Sequence, residues 1–445
     1  MRKKLDDVEM TPFLRKVTLF SSGGPFLEGY VLSIIGVALI QLTPALNIDA
    51  HMAGILGIAS LVGLFVGAAG GGYLTDLIGR KKMFVLDLVT IIILSILCMF
   101  VADAWQLALL RFLIGVTIGA DYPIATSMIA EFTPRRYRSH SMGVIAAMWY
   151  IGANVAYLVG YFLIDIAGGW RWMLGSAVIP CIIILLGRVS IPESPRWLYS
   201  KGRIEEANNI VHQLFGEDVE LEDEETVQTS WAKIFQPAYL KRVLFVGIIW
   251  LCQAIPMFAV YTFGPKIIES FGLSTSHGEA LIGELVIGLF FMSGTIPAMF
   301  LAESWGRRPL IIVCFAVMSG ALAVLGWWPA APMLVVVACF GIYALFSGGP
   351  GNLEWLYPNE LFPTDIRASA MGVAMALSRI GTVVSIYGLP AFLETYGTGP
   401  TMLVGAGISV LGFLVSWAWA PETKGYTLAE TGHPDFNARK PNLAR

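Results

Sequence analysis

The chain has 445 residues, 56% of them hydrophobic and 14% charged, where a soluble protein averages about 25% charged. That balance argues against a water-soluble domain, and a formal net charge of −3 offers nucleic acid no basic surface. The five Cys (98, 181, 252, 314 and 339) stand singly inside apolar runs, which argues against a disulfide framework or a thiolate metal centre.

The N-terminal stretch MRKKLDDVEMTPFLRKVTLF is charged and leads directly into an apolar segment containing Glu28. No small-residue cleavage site follows a short apolar core, so a retained first span is predicted. Windows of about 20 mostly apolar residues, enough to cross a bilayer, fall near 17–41, 53–75, 83–103, 105–129, 140–163 and 171–190. They resume near 241–264, 280–303, 309–328, 332–358, 367–390 and 400–420. The lipid bilayer is therefore the expected surroundings. With the N-terminus inside, Arg171 and Lys266 are the basic residues in external loops, and Arg111 and Arg379 lie within spans. The other Lys and Arg gather at the inner ends, loops and tails, and this positive-inside asymmetry predicts cytoplasmic termini.

Residues 191–240 form the one long polar connection, with the acidic run GEDVELEDEE and the helical pattern RIEEANNIVHQLF. It reads as a solvated cytoplasmic linker with short helices. The predicted organisation is thus a six-helix bundle over 1–190, the linker, a second six-helix bundle over 241–420, and a cytoplasmic tail over 421–445. The two halves repeat. EFTPRRYRSHSMGV (131–144) matches ELFPTDIRASAMGV (360–373), so that Glu131 aligns with Glu360, Arg138 with Arg367 and Gly143 with Gly372. IPES at 191 matches APET at 420, and GRK at 79 matches GRR at 306. A near-constant offset across separate motifs implies two bundles related by a pseudo-two-fold axis along the membrane normal, with a cavity between them.

Several of these stretches are familiar as motifs. GGYLTDLIGRKK (71–82) and FLAESWGRR (300–308) resemble the loop motifs of the major facilitator superfamily. RFLIGVTIGADYP, PESPRWL, GPGNLEWLYPNELFPTDIR and PETKG resemble its sugar-porter branch. FLEGY in the first span and GADYPIATSMIAE in the fourth are closer to proton-coupled phosphate, organic-ion and metabolite symporters. The resemblance covers essentially the whole chain. It implies an all-α integral membrane fold of twelve transmembrane helices in two pseudo-symmetric bundles, working by alternating access.

At the cytoplasmic ends, Gly72 permits close helix approach, and Asp76 and Arg80 sit where charge and dipole contacts can lock neighbouring spans. Glu131, Arg138, Glu360 and Arg367 are expected to join them in interhelical ion pairs that hold the outward-open state. In the second loop motif Met299 replaces the glycine, with Glu303 and Arg307 following, and a looser lock is expected there.

Glu28 lies near the bilayer centre, where desolvation disfavours a bare carboxylate and lets the side chain carry a proton. Relatives with F-x-[D/E]-x-Y at this place use the acid for proton coupling, whereas the sugar porters' own acid position falls on Val31. Arg111 and Asp121 share one half of the fourth-span surface, about 15 Å apart along the axis, and should face the bundle interior. The resemblance implies that Arg111 partners a first-span acid and that Asp121, the acid of the G-[GA]-D-Y-P signature, is a second proton site. Arg379 sits at mid-membrane in span eleven, where it resembles the anion-selecting cation of organic-anion carriers; Glu354 is its alternative partner.

Trp250, Gln253, Met257 and Tyr261 fall on one broad face of span seven, where sugar porters bind sugar. Trp355 matches a ligand-stacking Trp of those carriers, and Trp149 is a weaker candidate. The run Gly348–Gly351 is expected to break span ten at an extracellular gate. The chain lacks G-x-S-x-G, a zinc-ligand pair and the Walker phosphate loop, so no enzyme activity, cofactor or metal is expected. The expected activity is proton symport of a small polar metabolite with an acid group, by a monomer. A neutral sugar or polyol, or efflux of a metabolite or drug, are the alternatives.

Overall fold

The computed structural model describes residues 3–4, 8–221, 231–270, 277–439 and 441. Side chains are described within these except at 3–4, 50, 135, 138–139, 220, 231, 259–270, 277–284, 287, 333, 386–391 and 393–394. Tyr261 and Arg138 fall among these exceptions, so their side-chain roles lie outside the described residues.

The first half comprises α1 (Pro12–Ser21), α2 (Gly23–Ala45), α3 (Ala50–Ile78), α4 (Arg80–Cys98), α5 (Ala104–Phe132), α6 (Arg138–Leu163), α7 (Gly169–Gly175) and α8 (Val178–Val189). Short helices α9 (Pro195–Ser200) and α10 (Ile204–Phe215) follow. The second half comprises α11 (Pro237–Ser270), α12 (His277–Ser304), α13 (Arg307–Trp327), α14 (Met333–Leu361), α15 (Arg367–Tyr396) and α16 (Thr398–Trp419), and α17 (Leu428–Gly432) ends the series. A two-residue parallel pairing of Lys3–Lys4 with Val219–Glu220 is the extended structure among the described residues.

Among the described residues, ten segments are long and apolar enough to cross a membrane. The helices α4 and α12 complete the twelve-span arrangement; α4 is apolar along its length but carries Arg80, Lys81, Lys82 and Asp87 in its first half. Large apolar side chains such as Leu186 and Leu334, 72% and 80% exposed, cover the outside. In a bilayer this belt meets lipid, and the helices satisfy their own backbone groups.

Helix ends follow local chemistry. Asp49 caps α3 by accepting from Met52 N at 2.7 Å, and Asp103 caps α5 through Trp105 N at 3.2 Å. The same tight corner recurs in both halves. Gly79 (φ +114°) turns the chain from α3 into α4, and Gly306 (φ +104°) turns it from α12 into α13, a region of backbone space that favours glycine.

Two expectations about continuity change. Spans one and six are each built from two pieces, α1 with α2 and α7 with α8. Span ten is not broken at Gly348–Gly351: α14 runs through the run with Pro350 inside it. The glycines serve close packing instead. A Cβ on Gly348 would stand 2.3 Å from the backbone carbon of Gly294, and one on Gly349 would meet the Cys314 sulfur.

The halves meet along two symmetric seams. Helix α3 packs on α15, and α6 packs on α12. Within the halves, α2 lies on α6, α3 on α5, α11 on α15 and α13 on α16.

Candidate functional site

A narrow chamber with a cavity volume of about 30 Å³ lies between the halves, far below the roughly 300–1,000 Å³ typical of open ligand pockets, so in this conformation its walls have closed on one another. Its polar wall is formed by Glu28, Gln253, Glu354 and Arg379, and its aromatic wall by Tyr122, Trp149, Tyr150, Trp250, Phe258 and Trp355.

Glycine contacts bring Glu28 to this wall. A Cβ on Gly29 would stand 2.0 Å from the Trp149 carbonyl oxygen, and one on Gly152 would stand 2.0 Å from the Phe26 carbonyl oxygen. Helices α2 and α6 therefore touch backbone to backbone at the depth of Glu28. The indole N–H of Trp149 donates to Glu28 Oε2 at 2.8 Å. From the other half, Arg379 Nη2 reaches Glu28 Oε1 at 2.8 Å. Both partners are buried, so this ion pair ties one half to the other within the chamber.

Other predicted positions assemble around the pair. Trp355 stacks on Tyr122 with ring centres 4.7 Å apart and planes 11° apart, and meets Trp250 edge-on at 5.2 Å. Gln253 donates to Ser347 Oγ at 3.1 Å and to Met257 Sδ at 3.4 Å. Three polar atoms on the wall have no hydrogen-bond partner among the described residues: Tyr122 Oη, Glu354 Oε2 and Arg379 Nε.

The two fourth-span charges are placed elsewhere. Arg111 donates through Nε to the Leu56 carbonyl at 3.1 Å and through Nη1 to that of Val31 at 3.5 Å. It is not among the residues lining the chamber, and the first-span acid it was expected to pair with is held by Arg379. Asp121 is gripped on both oxygens by Arg188, at 2.6 and 2.8 Å, and Arg188 also binds Asp87 at 3.1 Å. Gly24 leaves room for this cluster, since a Cβ there would overlap the Asp121 carboxylate. Asp121 is not a chamber-lining residue either.

At the membrane face that carries the termini, the repeated motifs build the same network twice. Arg80 Nη2 lies 2.9 Å from Glu131 Oε1, and Arg307 Nη2 lies 2.9 Å from Glu360 Oε1. The hydroxyl of Ser194 donates to Glu131, and that of Thr423 donates to Glu360. Backbone N–H groups of Arg80 and Lys81 donate to Glu193, and those of Arg307 and Arg308 donate to Glu422.

The network also crosses between halves. Asp76 Oδ2 accepts from the Ser369 N–H at 2.8 Å and from its hydroxyl at 2.5 Å, at the start of α15. Glu303 accepts from the His140 N–H at 3.2 Å, at the start of α6. Each carboxylate thus sits on the positive end of a helix in the opposite half. Arg367 adds a cross-link to Glu131 at 3.2 Å. Asp76 also pairs with Arg80 at 3.0 Å. Where Gly72 lets α3 touch the Ala368 backbone, Met299 packs its side chain on Gly143.

Sequence reasoning did not single out Tyr122, Tyr150, Phe258 or Arg188. Tyr122 was within reach, as the neighbour of Asp121 in GADYP. Arg188 lies at the end of a span, where a basic residue reads as an ordinary inner-face anchor.

Comparison with known proteins agrees with this architecture. Residues 16–433 match the Sugar (and other) transporter family. YaaU of Escherichia coli K12, itself a provisionally named metabolite transport protein, is 56% identical over 98% of this chain and 99% of its own. The glucose transporter GlcP of Staphylococcus epidermidis is 32% identical over 92% of this chain and 94% of its own. The proton:xylose symporter XylE, bound to 6-bromo-6-deoxy-D-glucose, superposes with a TM-score of 0.82 at 22% identity, covering 94% of this chain and 98% of that one. With twelve spans in two repeated halves and a polar chamber between them, the chain belongs to the sugar-porter family of the major facilitator superfamily, a family of membrane transporters.

Proposed function

We propose that this carrier takes up a small polar metabolite bearing an acid group by proton symport, with Glu28 as the proton site and Arg379 as the substrate site. The observation that carries the reading is the 2.8 Å Glu28–Arg379 pair, which bridges the halves inside the chamber. Removing one partner of a buried ion pair costs about 3–5 kcal/mol, because the other is left uncompensated. Protonation of Glu28 therefore calls for an anion at Arg379. An arriving substrate acid group supplies it, in bidentate geometry. Proton and substrate are bound together or not at all, which is the requirement for coupling.

In this reading the halves over 1–190 and 241–420 rock about the chamber, joined by 191–240, with 421–445 as a tail and the termini in the cytoplasm. Closure of the terminal face by Asp76, Glu303, Glu131 and Arg367 corresponds to a carrier shut toward the cytoplasm. Asp121, held on both oxygens by Arg188, is assigned to tying α5 to α8. Arg111 is assigned to joining α5 to α2 and α3 through their carbonyls. A neutral sugar or polyol is the competing substrate class, favoured by the aromatic wall with Gln253 and by the named activity of GlcP.

Reconstituted protein under an imposed inward proton gradient tests the reading. Organic acids should accumulate, and Glu28→Gln should abolish accumulation while leaving substrate exchange at equal pH. Full gradient-driven accumulation by that variant would remove Glu28 from the coupling step. Accumulation of sugars alone would replace the acid substrate with a neutral one.

A further inference from the structure

The chamber holds one more acid than the Glu28–Arg379 pair accounts for. Glu354 projects from α14 and is 7% exposed. It lines the same space, and its Oε2 has no hydrogen-bond partner among the described residues. It feels the charges of both Arg379 and Glu28, yet Arg379 gives its bond to Glu28. A carboxylate left without a partner in a dry site is costly. The surrounding wall makes this one more so, because the faces of aromatic rings carry negative potential and repel an anion.

The same two features favour a cation. Tyr122 and Trp355 stack into one slab, with Trp250 edge-on to it, and Trp149 and Tyr150 pack against each other at 5.3 Å. All five rings line the chamber with Glu354. An ammonium between such rings gains cation–π attraction, and the carboxylate completes its cage. On the same polar wall, Arg379 Nε has no hydrogen-bond partner among the described residues. The free groups thus come as an unpartnered carboxylate oxygen in an aromatic-lined chamber and an unpartnered guanidinium N–H.

We propose that the substrate is a small zwitterion, whose carboxylate takes Arg379 when Glu28 is protonated and whose ammonium sits between Glu354 and the aromatic wall. This rests on the reading of the chamber as the substrate site and sharpens its substrate class.

The test is binding to the purified carrier, read by thermal shift and by quenching of the chamber tryptophans at a pH where Glu28 is protonated. The probes are ω-amino acids of two to six carbons, the matching carboxylates without the amine, the matching alkylammonium ions, and myo-inositol. At least one amino acid should bind about tenfold or more tightly than either of its single-charge analogues. Glu354→Gln should remove that preference, leaving amino acid and simple carboxylate within about twofold, while Glu354→Asp retains part of it. Tighter binding of simple carboxylates or of inositol, or no binding by any amino acid of the series, would overturn the inference. So would a Glu354→Gln carrier that keeps the full preference. Gradient-driven, Glu28-dependent uptake of inositol would overturn it while leaving proton symport in place. Zwitterion binding with uptake that ignores Glu28 would do the reverse.

Discussion

Among the described residues, the kind of compensation a buried charge finds separates the structural ones from the chamber ones. Arg111 donates to backbone carbonyls and Arg188 is held by two carboxylates, all within one half, so both are fixed parts of it. Glu28 and Arg379 compensate each other across the halves, so theirs is a bond that movement can exchange, and the one of that kind inside the chamber among the described residues. Arginine matters there beyond its charge, since a planar fork can hold a carboxylate in two parallel bonds and an ammonium cannot. Arg379→Lys is therefore expected to fold and insert normally but to weaken substrate binding by roughly tenfold. A competition assay on purified protein measures this, and unchanged affinity would show that the fork is not used. The sequence marks Glu28, Arg111, Asp121 and Arg379 as special, because charge at membrane depth is expensive. It does not say which pairs form: Glu28 and Arg379 stand 351 residues apart.

At the scale of elements, glycine decides where helices touch. Gly29 and Gly152 let α2 and α6 meet along their backbones, and this contact sets Glu28 beside Trp149. Gly29→Val would force atoms into the Trp149 carbonyl, and overpacking of this kind costs about 1–3 kcal/mol. A clear fall in Tm in detergent is expected, together with loss of transport. Gly36, on the same helix, has nothing within 4 Å of where a Cβ would stand. Gly36→Ala should therefore leave Tm unchanged or slightly raised, since Ala favours the helix by up to about 1 kcal/mol; an equal fall in both variants would refute the contact argument. Hydropathy located most spans because one whole turn after another must be apolar to face lipid. Hydropathy placed span ten as well, but the expected break at Gly348–Gly351 did not occur, since Gly and Pro read as breakers in isolation. Packing of α14 against Gly294 and Cys314 keeps the helix continuous through them.

For the molecule as a whole, the repeat supplies a lock with two similar bolts. Asp76 holds the start of α15, and Glu303 holds the start of α6. The Asp76 bolt makes two bonds at 2.8 and 2.5 Å, whereas Glu303 makes a single bond to His140 at 3.2 Å. Release of the first should accordingly favour opening more than release of the second. A hydrogen bond to a charged group contributes about 1.5–3 kcal/mol, so Asp76→Ala should raise the open population by at least about tenfold. Maleimide labelling of a cysteine placed at Ala370, which is fully buried at this seam, measures that opening. A Glu303→Ala carrier is expected to label more slowly than the Asp76→Ala carrier. The opposite order would mean that the Met299–Gly143 seam, and not Asp76, holds the face closed.

The sequence alone determined the bilayer as solvent, the number of spans and the duplication of the halves. These follow from composition and periodicity, which act along the chain and need no knowledge of what lies opposite. It also determined that several ionic side chains are buried, because their depth within a span is a matter of counting. Only the tertiary structure decided that Glu28 bonds Arg379, that Asp121 belongs to Arg188, and that Glu354 lines a chamber shared with aromatic rings. Pairing at a distance is set by which helix faces meet, and those faces are chosen by backbone approach at a few glycines and by the rotation of each helix about its own axis. Sequence spacing constrains neither.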